Sequence, residues 1–140
     1  MGYTKIYIHL VWTTYKRQKL LTKDIREKVL PHIKQNAKTN NIFIDHIGGY
    51  LDHVHCLIAI DGNQNISQVV QYIKGESSYW INKRGLVQER FRWQSDYYAV
   101  SVGILQLKVV RNYIRNQEAH HQRKTLEKEL SLFKKLYGLR

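Results

Sequence analysis

The chain has 140 residues, 43% of them apolar, and carries 23 Lys and Arg against 11 Asp and Glu, a formal charge of +12. That length suits one compact domain over residues 1–140 and that apolar fraction can fill a core, so global disorder is excluded. The positive charge favours a polyanionic partner, because each phosphate neutralised by Lys or Arg releases counterions.

In chain order, Tyr3 to Thr14 is rich in β-branched and aromatic residues and reads as a strand. A basic turn follows, with Lys16, Arg17 and Lys19. Thr22 or Asp24 suits the cap of a helix running to about Thr39, where Ile25, Val29, Ile33 and Ala37 share helical spacing. Pro31 is expected to kink it, since its missing N–H removes one backbone bond. Asn41 to Gly49 alternates as a second strand, and Gly48-Gly49 permits a bulge or bend before a third, Tyr50 to Ile60. Asn65 or Ser67 suits the cap of a helix to about Arg84, stopped by Gly85, with Gly75 explained by a close backbone approach. Phe91 to Val102 reads as a strand with a bend near Asp96. Ile104 to about His120 reads as helix, and a charged last helix is expected from Arg123 to Tyr137. The order β-α-β-β-α-β followed by helices gives an α+β fold of ferredoxin-like type, an antiparallel sheet with helices packed on one face.

The single cysteine, Cys56, excludes an internal disulfide framework and a cysteine-rich zinc site, and its apolar neighbours make it a core residue. No apolar run approaches the roughly 20 residues of a membrane span, and the start lacks a signal-peptide pattern, so the expected setting is the cytoplasm.

Two local patterns bear on chemistry. His53-Val54-His55 sits on a strand, where side chains at i and i+2 project from one face, so two imidazoles can share a metal ion. Two histidines leave a site incomplete, and Mg²⁺ or Mn²⁺ also takes oxygen ligands; the same pair equally suits two half-exposed residues on a sheet. Tyr113 and Gln117 are spaced i, i+4 and so share a helix face, placing a phenol beside an amide oxygen. Composition does not select that tyrosine, for the chain holds ten, Tyr72, Tyr97 and Tyr98 among them.

Together the patterns resemble a known family. His53-Val54-His55 within GYLDHVHCLIAI is similar to the histidine-hydrophobe-histidine (HUH) signature of the single-tyrosine transposases of small insertion sequences. The run YIRNQEAHHQR resembles that family's catalytic helix, and YIHLVWTTYKRQKLL, ISQVVQYIKGESSYWIN and FRWQSDYYAVSV look like its other blocks in the right order. The resemblance covers residues 3 to about 123. It implies that His53, His55 and Gln117 bind Mg²⁺ or Mn²⁺ and that Tyr113 attacks single-stranded, hairpin-marked DNA to give a 5′-phosphotyrosine. It also implies a homodimer whose active sites combine the histidines of one subunit with the tyrosine helix of the other; Gly103 is compatible with such an arm. One departure stands out, Asp96, where the family often has glycine.

For that DNA, Lys16, Arg17, Lys19, Lys74, Lys83, Arg84, Arg90 and Arg92 offer backbone contacts. Trp93, between Arg92 and Gln94, is the expected stacking surface for unpaired bases, while Trp12 and Trp80 are assigned to the core. His120 and His121 are expected to cap a helix end. Alternative readings are a non-catalytic module that binds single-stranded nucleic acid, a domesticated host relative, and a structural metal protein that would leave the charge unexplained.

Overall fold

The computed structural model describes residues 4–117 and the isolated positions 119, 128 and 131. Four strands, β1 (Ile6–Thr13), β2 (Phe43–Gly49), β3 (His53–Ile60) and β4 (Tyr98–Val102), form one antiparallel sheet in the order β2-β3-β1-β4. Three helices, α1 (Lys23–Thr39), α2 (Ile66–Arg84) and α3 (Leu107–Arg115), complete it. Every residue of β3 is buried, as befits a central strand covered on both faces.

Alternation splits the sheet between two cores. Ile8, Leu10 and Trp12 of β1 and Val54, Cys56, Ile58 and Ile60 of β3 point to α1 and α2. They meet Val29, Ile33 and Ala37 of α1, spaced four apart, and Val70, Ile73, Ser77 and Ile81 of α2, spaced three or four apart. The opposite face carries His53, His55 and Leu57, and there α3 lays Leu107, Val110 and Ile114 on Leu57 and Val102. The expected antiparallel sheet with helices on one face holds for α1 and α2; the later helix α3 closes the other face, because its three apolar positions complement what the histidine side of the sheet leaves uncovered.

Local signals settle the helix ends. Thr22, not Asp24, caps α1, accepting from the Ile25 N–H at 3.4 Å, and Asn65, not Ser67, caps α2, accepting from Gln68 N–H at 3.2 Å. Gly85 ends α2 at φ 60°, a left-handed position that glycine adopts without a Cβ penalty. α1 runs unbroken through Pro31, which lies on its exposed side.

Four other expectations change. The strand assigned to Phe91–Val102 shortens to Tyr98–Val102; upstream Trp93 makes an isolated bridge to Thr14, since that segment bonds to the end of β1 and the turn after it. The irregularity of β2 falls between Ile44 and His46 instead of at Gly48-Gly49. A Cβ built on Gly75 meets nothing within 4 Å, so no close approach explains that glycine. The helix assigned from Ile104 begins at Leu107, after a 3₁₀ turn over Ile104–Gln106. The helix expected over Arg123–Tyr137, and His120 and His121, lie outside the described residues. Among the described residues, no helix is long and apolar enough to cross a membrane.

Candidate active site

The antiparallel register builds the site. Thr13 lies opposite His53 and Val11 opposite His55, and His9 opposite Leu57, so His9, His53 and His55 share one face of the sheet. All three are buried. α3 brings Tyr113 over them: its ring centroid lies 5.4 Å from that of His55 and 6.2 Å from that of His9, each pair edge to face. Gln117, on the same face one turn later, is buried, with Oε1 3.3 Å from His53 Nε2. One chain therefore places His53, His55, Tyr113 and Gln117 together.

Three orienting contacts escaped the sequence. Asp52 Oδ1 accepts from His53 Nδ1 at 2.8 Å, the only signal for it being an acid beside the histidine. His9 Nε2 lies 2.9 Å from His55 Nδ1, a pairing visible only once the register is known. Gln117 Nε2 donates to the Tyr113 carbonyl at 3.2 Å, which turns its oxygen toward His53.

These contacts decide what the face can hold. With Nδ1–H given to Asp52, His53 Nε2 keeps its lone pair and meets a second lone pair on Gln117 Oε1. Two facing lone pairs call for a cation or a proton between them. Neighbouring ligands of an octahedral Mg²⁺ at 2.0–2.1 Å lie about 3 Å apart, so the 3.3 Å spacing fits a divalent ion. His55 Nε2 is buried on the same face. Among the described residues no three His, Cys, Asp or Glu side chains group so as to hold a metal ion; the residues here that could hold one are His53, His55 and the Gln117 amide oxygen.

The expected DNA contacts divide by place. Lys16, Arg17 and Lys19 are exposed just beyond β1, and Arg17 Nε lies 3.6 Å from Asp52, which ties this turn to the histidine face. A cleft of about 440 Å³ lined by Val11, Thr13, Lys16, Arg17, Tyr97 and Tyr98 opens there. Arg92 stacks on Tyr15 at 3.6 Å, and with Arg90, Tyr79 and Asn82 it lines a second, wider groove beside α2. Lys83 and Arg84 lie at the end of α2 over Tyr79 and Trp80, away from the histidines. Lys74 donates to the carbonyls of Gln94 and Asp96 at 2.5 and 3.2 Å, so it tethers a loop. Burial lowers its pKa, against the opposing charge of Asp96.

Trp93 requires a correction. It is 7% exposed, its indole N–H donates to Ser77 Oγ at 2.9 Å, and Trp12 and Phe91 meet it edge to face. It is a core residue, with no face for a base. Trp12 is buried as expected, while Trp80 is half-buried and stacks on His32 at 3.9 Å. Asp96 is not among the residues with positive φ, so nothing at that position requires glycine.

Residues 2–117 match the family model described as Transposase IS200 like. The chain belongs to the IS200-like transposase family. Two solved structures share its fold. A protein described as a transposase, from Deinococcus radiodurans R1, is 22% identical with a TM-score of 0.67, the match covering 84% of this chain and 95% of that one. The REP-associated tyrosine transposase bound to a REP hairpin is 17% identical with a TM-score of 0.62, covering 86% and 72%. No curated protein matches.

Proposed function

We propose that this IS200-like transposase cuts and rejoins single-stranded DNA at hairpin-marked ends through a 5′-phosphotyrosine on Tyr113, with Mg²⁺ or Mn²⁺ held by His53, His55 and Gln117. The observation that carries the reading is the seating of Tyr113 and Gln117 on the histidine pair of their own chain. A REP hairpin bound to a protein of the same fold supports hairpin DNA as the substrate.

When bound, the ion supplies Lewis acidity toward a non-bridging oxygen of the scissile phosphate. The chain does the rest. Asp52 and His9 fix the imidazoles through their Nδ1 atoms, so that both Nε2 atoms address the site. The Tyr113 Oη attacks phosphorus; the bond from phosphorus to the 3′ oxygen breaks as the bond to Oη forms, and the phenol proton passes through solvent to the departing 3′ oxygen. One phosphodiester replaces another, so a different 3′-hydroxyl reverses the step without ATP. Lys16, Arg17 and Lys19 beside the cleft contact the backbone of the strand, and Arg90 and Arg92 extend that contact along α2. The chain works as one domain, and the seating of Tyr113 on its own histidines supports a site formed within one chain in place of one shared between the subunits of a homodimer.

The test is a gel assay with end-labelled single-stranded DNA carrying the flanking genomic hairpin. With Mg²⁺ or Mn²⁺ a denaturation-resistant protein–DNA band is expected, absent with EDTA and in Tyr113→Phe. Binding without an adduct under any metal would replace this reading with the non-catalytic binding module.

A further inference from the structure

The short helix that carries Tyr113 has a seat on β2, and one extra residue makes it. Between Ile44, opposite Ile58, and His46, opposite Leu57, Asp45 is the residue without a ladder partner. Past this bulge the strand continues one step out of phase: Ile47 lies opposite Cys56, on the core side, and Gly48 opposite His55, on the histidine side. Without the bulge Ile47 would lie opposite His55, beneath α3. The glycine is needed there, because a Cβ on Gly48 would collide with the carbonyl oxygen of Ile114. The extra residue also reaches the helix. Asp45 Oδ1 and Oδ2 accept from Arg111 Nε and Nη2, each at 2.8 Å, and the carboxylate side chain is only 9% exposed. Such a two-bond fork fixes orientation as well as distance.

We propose that the Asp45 bulge is the positioning device for Tyr113: it sets Gly48 under the helix backbone and clamps Arg111, one half-turn before the tyrosine, so that the phenol stands over the histidines. Asp45, Gly48 and Arg111 are not among the residues proposed to hold the ion or the DNA, so their role is positioning. The clamp matters because α3 spans nine residues and buries Leu107, Val110 and Ile114, a short apolar stripe to which the fork adds a directional contact. A displacement of about 1 Å at a reacting atom costs up to about 100-fold in rate.

This inference rests on the catalytic reading for its rate test, so a second readout is independent of activity. Asp45→Asn, Arg111→Gln and the double variant are compared with wild type in single-turnover cleavage, in DNA affinity and by nuclear Overhauser contacts between the Tyr113 and His55 rings. Each single variant should lose roughly 10- to 100-fold in cleavage rate with DNA affinity unchanged, and the double variant should be no slower than the worse single one. The Tyr113–His55 contact should weaken in all three while the rest of the spectrum keeps its dispersion. Gly48→Ala should show the same pattern through the clash instead of the charge. Wild-type rates in Asp45→Asn, additive losses in the double variant, or an unchanged ring contact would overturn the clamp. An inactive wild type whose ring contact is lost in Asp45→Asn would remove the catalytic reading and leave the clamp standing.

Discussion

Asp52 holds two neighbours at once, the Nδ1 side of His53 and the guanidinium of Arg17. One carboxylate thereby orients a proposed metal ligand and steadies a proposed phosphate contact. Asp52→Asn keeps the shape and removes the charge, and a roughly 10- to 100-fold loss in Mn²⁺ affinity is expected by calorimetric titration. Ser77 answers a different need, accepting the indole N–H of Trp93 inside the core. Ser77→Ala leaves that donor buried and unpaired, which costs about 1–3 kcal/mol, read by urea unfolding with DNA affinity unchanged. Cys56 is wholly buried, and burial pushes its thiol far above the ordinary range. It should resist thiol reagents at neutral pH until the chain unfolds.

At the scale of elements, α1 shows propensity yielding to packing. Pro31 disfavours the helix interior, yet Val29, Ile33 and Ala37 on the buried stripe keep one continuous helix on the sheet, and the proline lies on the exposed side. Pro31→Ala restores a donor for the Glu27 carbonyl and should stabilise the protein by about 1–3 kcal/mol in thermal unfolding. The basic turn after β1 bears a cost of another kind. Lys16 and Arg17 have φ of 52° and 54°, left-handed values that suit glycine better. The turn is held by its surroundings, with Lys16 N–H donating to Gln94 Oε1 and Tyr15 N–H to the Arg92 carbonyl. The loop over 92–97 thus belongs to the β1 turn more than to β4. That explains why its β-forming residues did not make a longer strand.

For the whole molecule, the Asp45–Arg111 clamp links pH to stability. Hydrogen bonds from Arg111 hold the Asp45 carboxyl below its ordinary value of 3.8, against the opposing effect of burial. Because the folded value is depressed, the stabilisation is present above that ordinary value and is lost as pH falls through the folded one. Asp45→Asn should therefore lower stability at neutral pH and flatten its decline below about pH 4, measured by denaturant unfolding across pH. The charge of +12 predicts a second global property. Affinity for single-stranded DNA should fall steeply with salt, and removing Arg17 should lessen the slope of log K against log salt by about 0.7.

Much of this was legible in the chain itself. Period-2 and period-3.6 patterns located β1, β3, α1 and α2, because burying an apolar face requires those spacings; Gly85 announced the end of α2, and Asn65 was one of two caps offered for its start. Strand and helix repeats showed that His53 shares a face with His55 and Tyr113 with Gln117, while the choice of Tyr113 among ten tyrosines came from the family resemblance. What the sequence could not decide is anything that depends on register between distant segments. His9 joins His55 only because β1 pairs with β3 in one particular alignment. Trp93 turns inward only because Ser77 waits for its N–H. Asp45 meets Arg111, 66 positions away, only because one extra residue shifts β2 and lets α3 approach over Gly48. Local periodicity reports which face a residue takes; which faces meet is fixed by the packing of the whole chain.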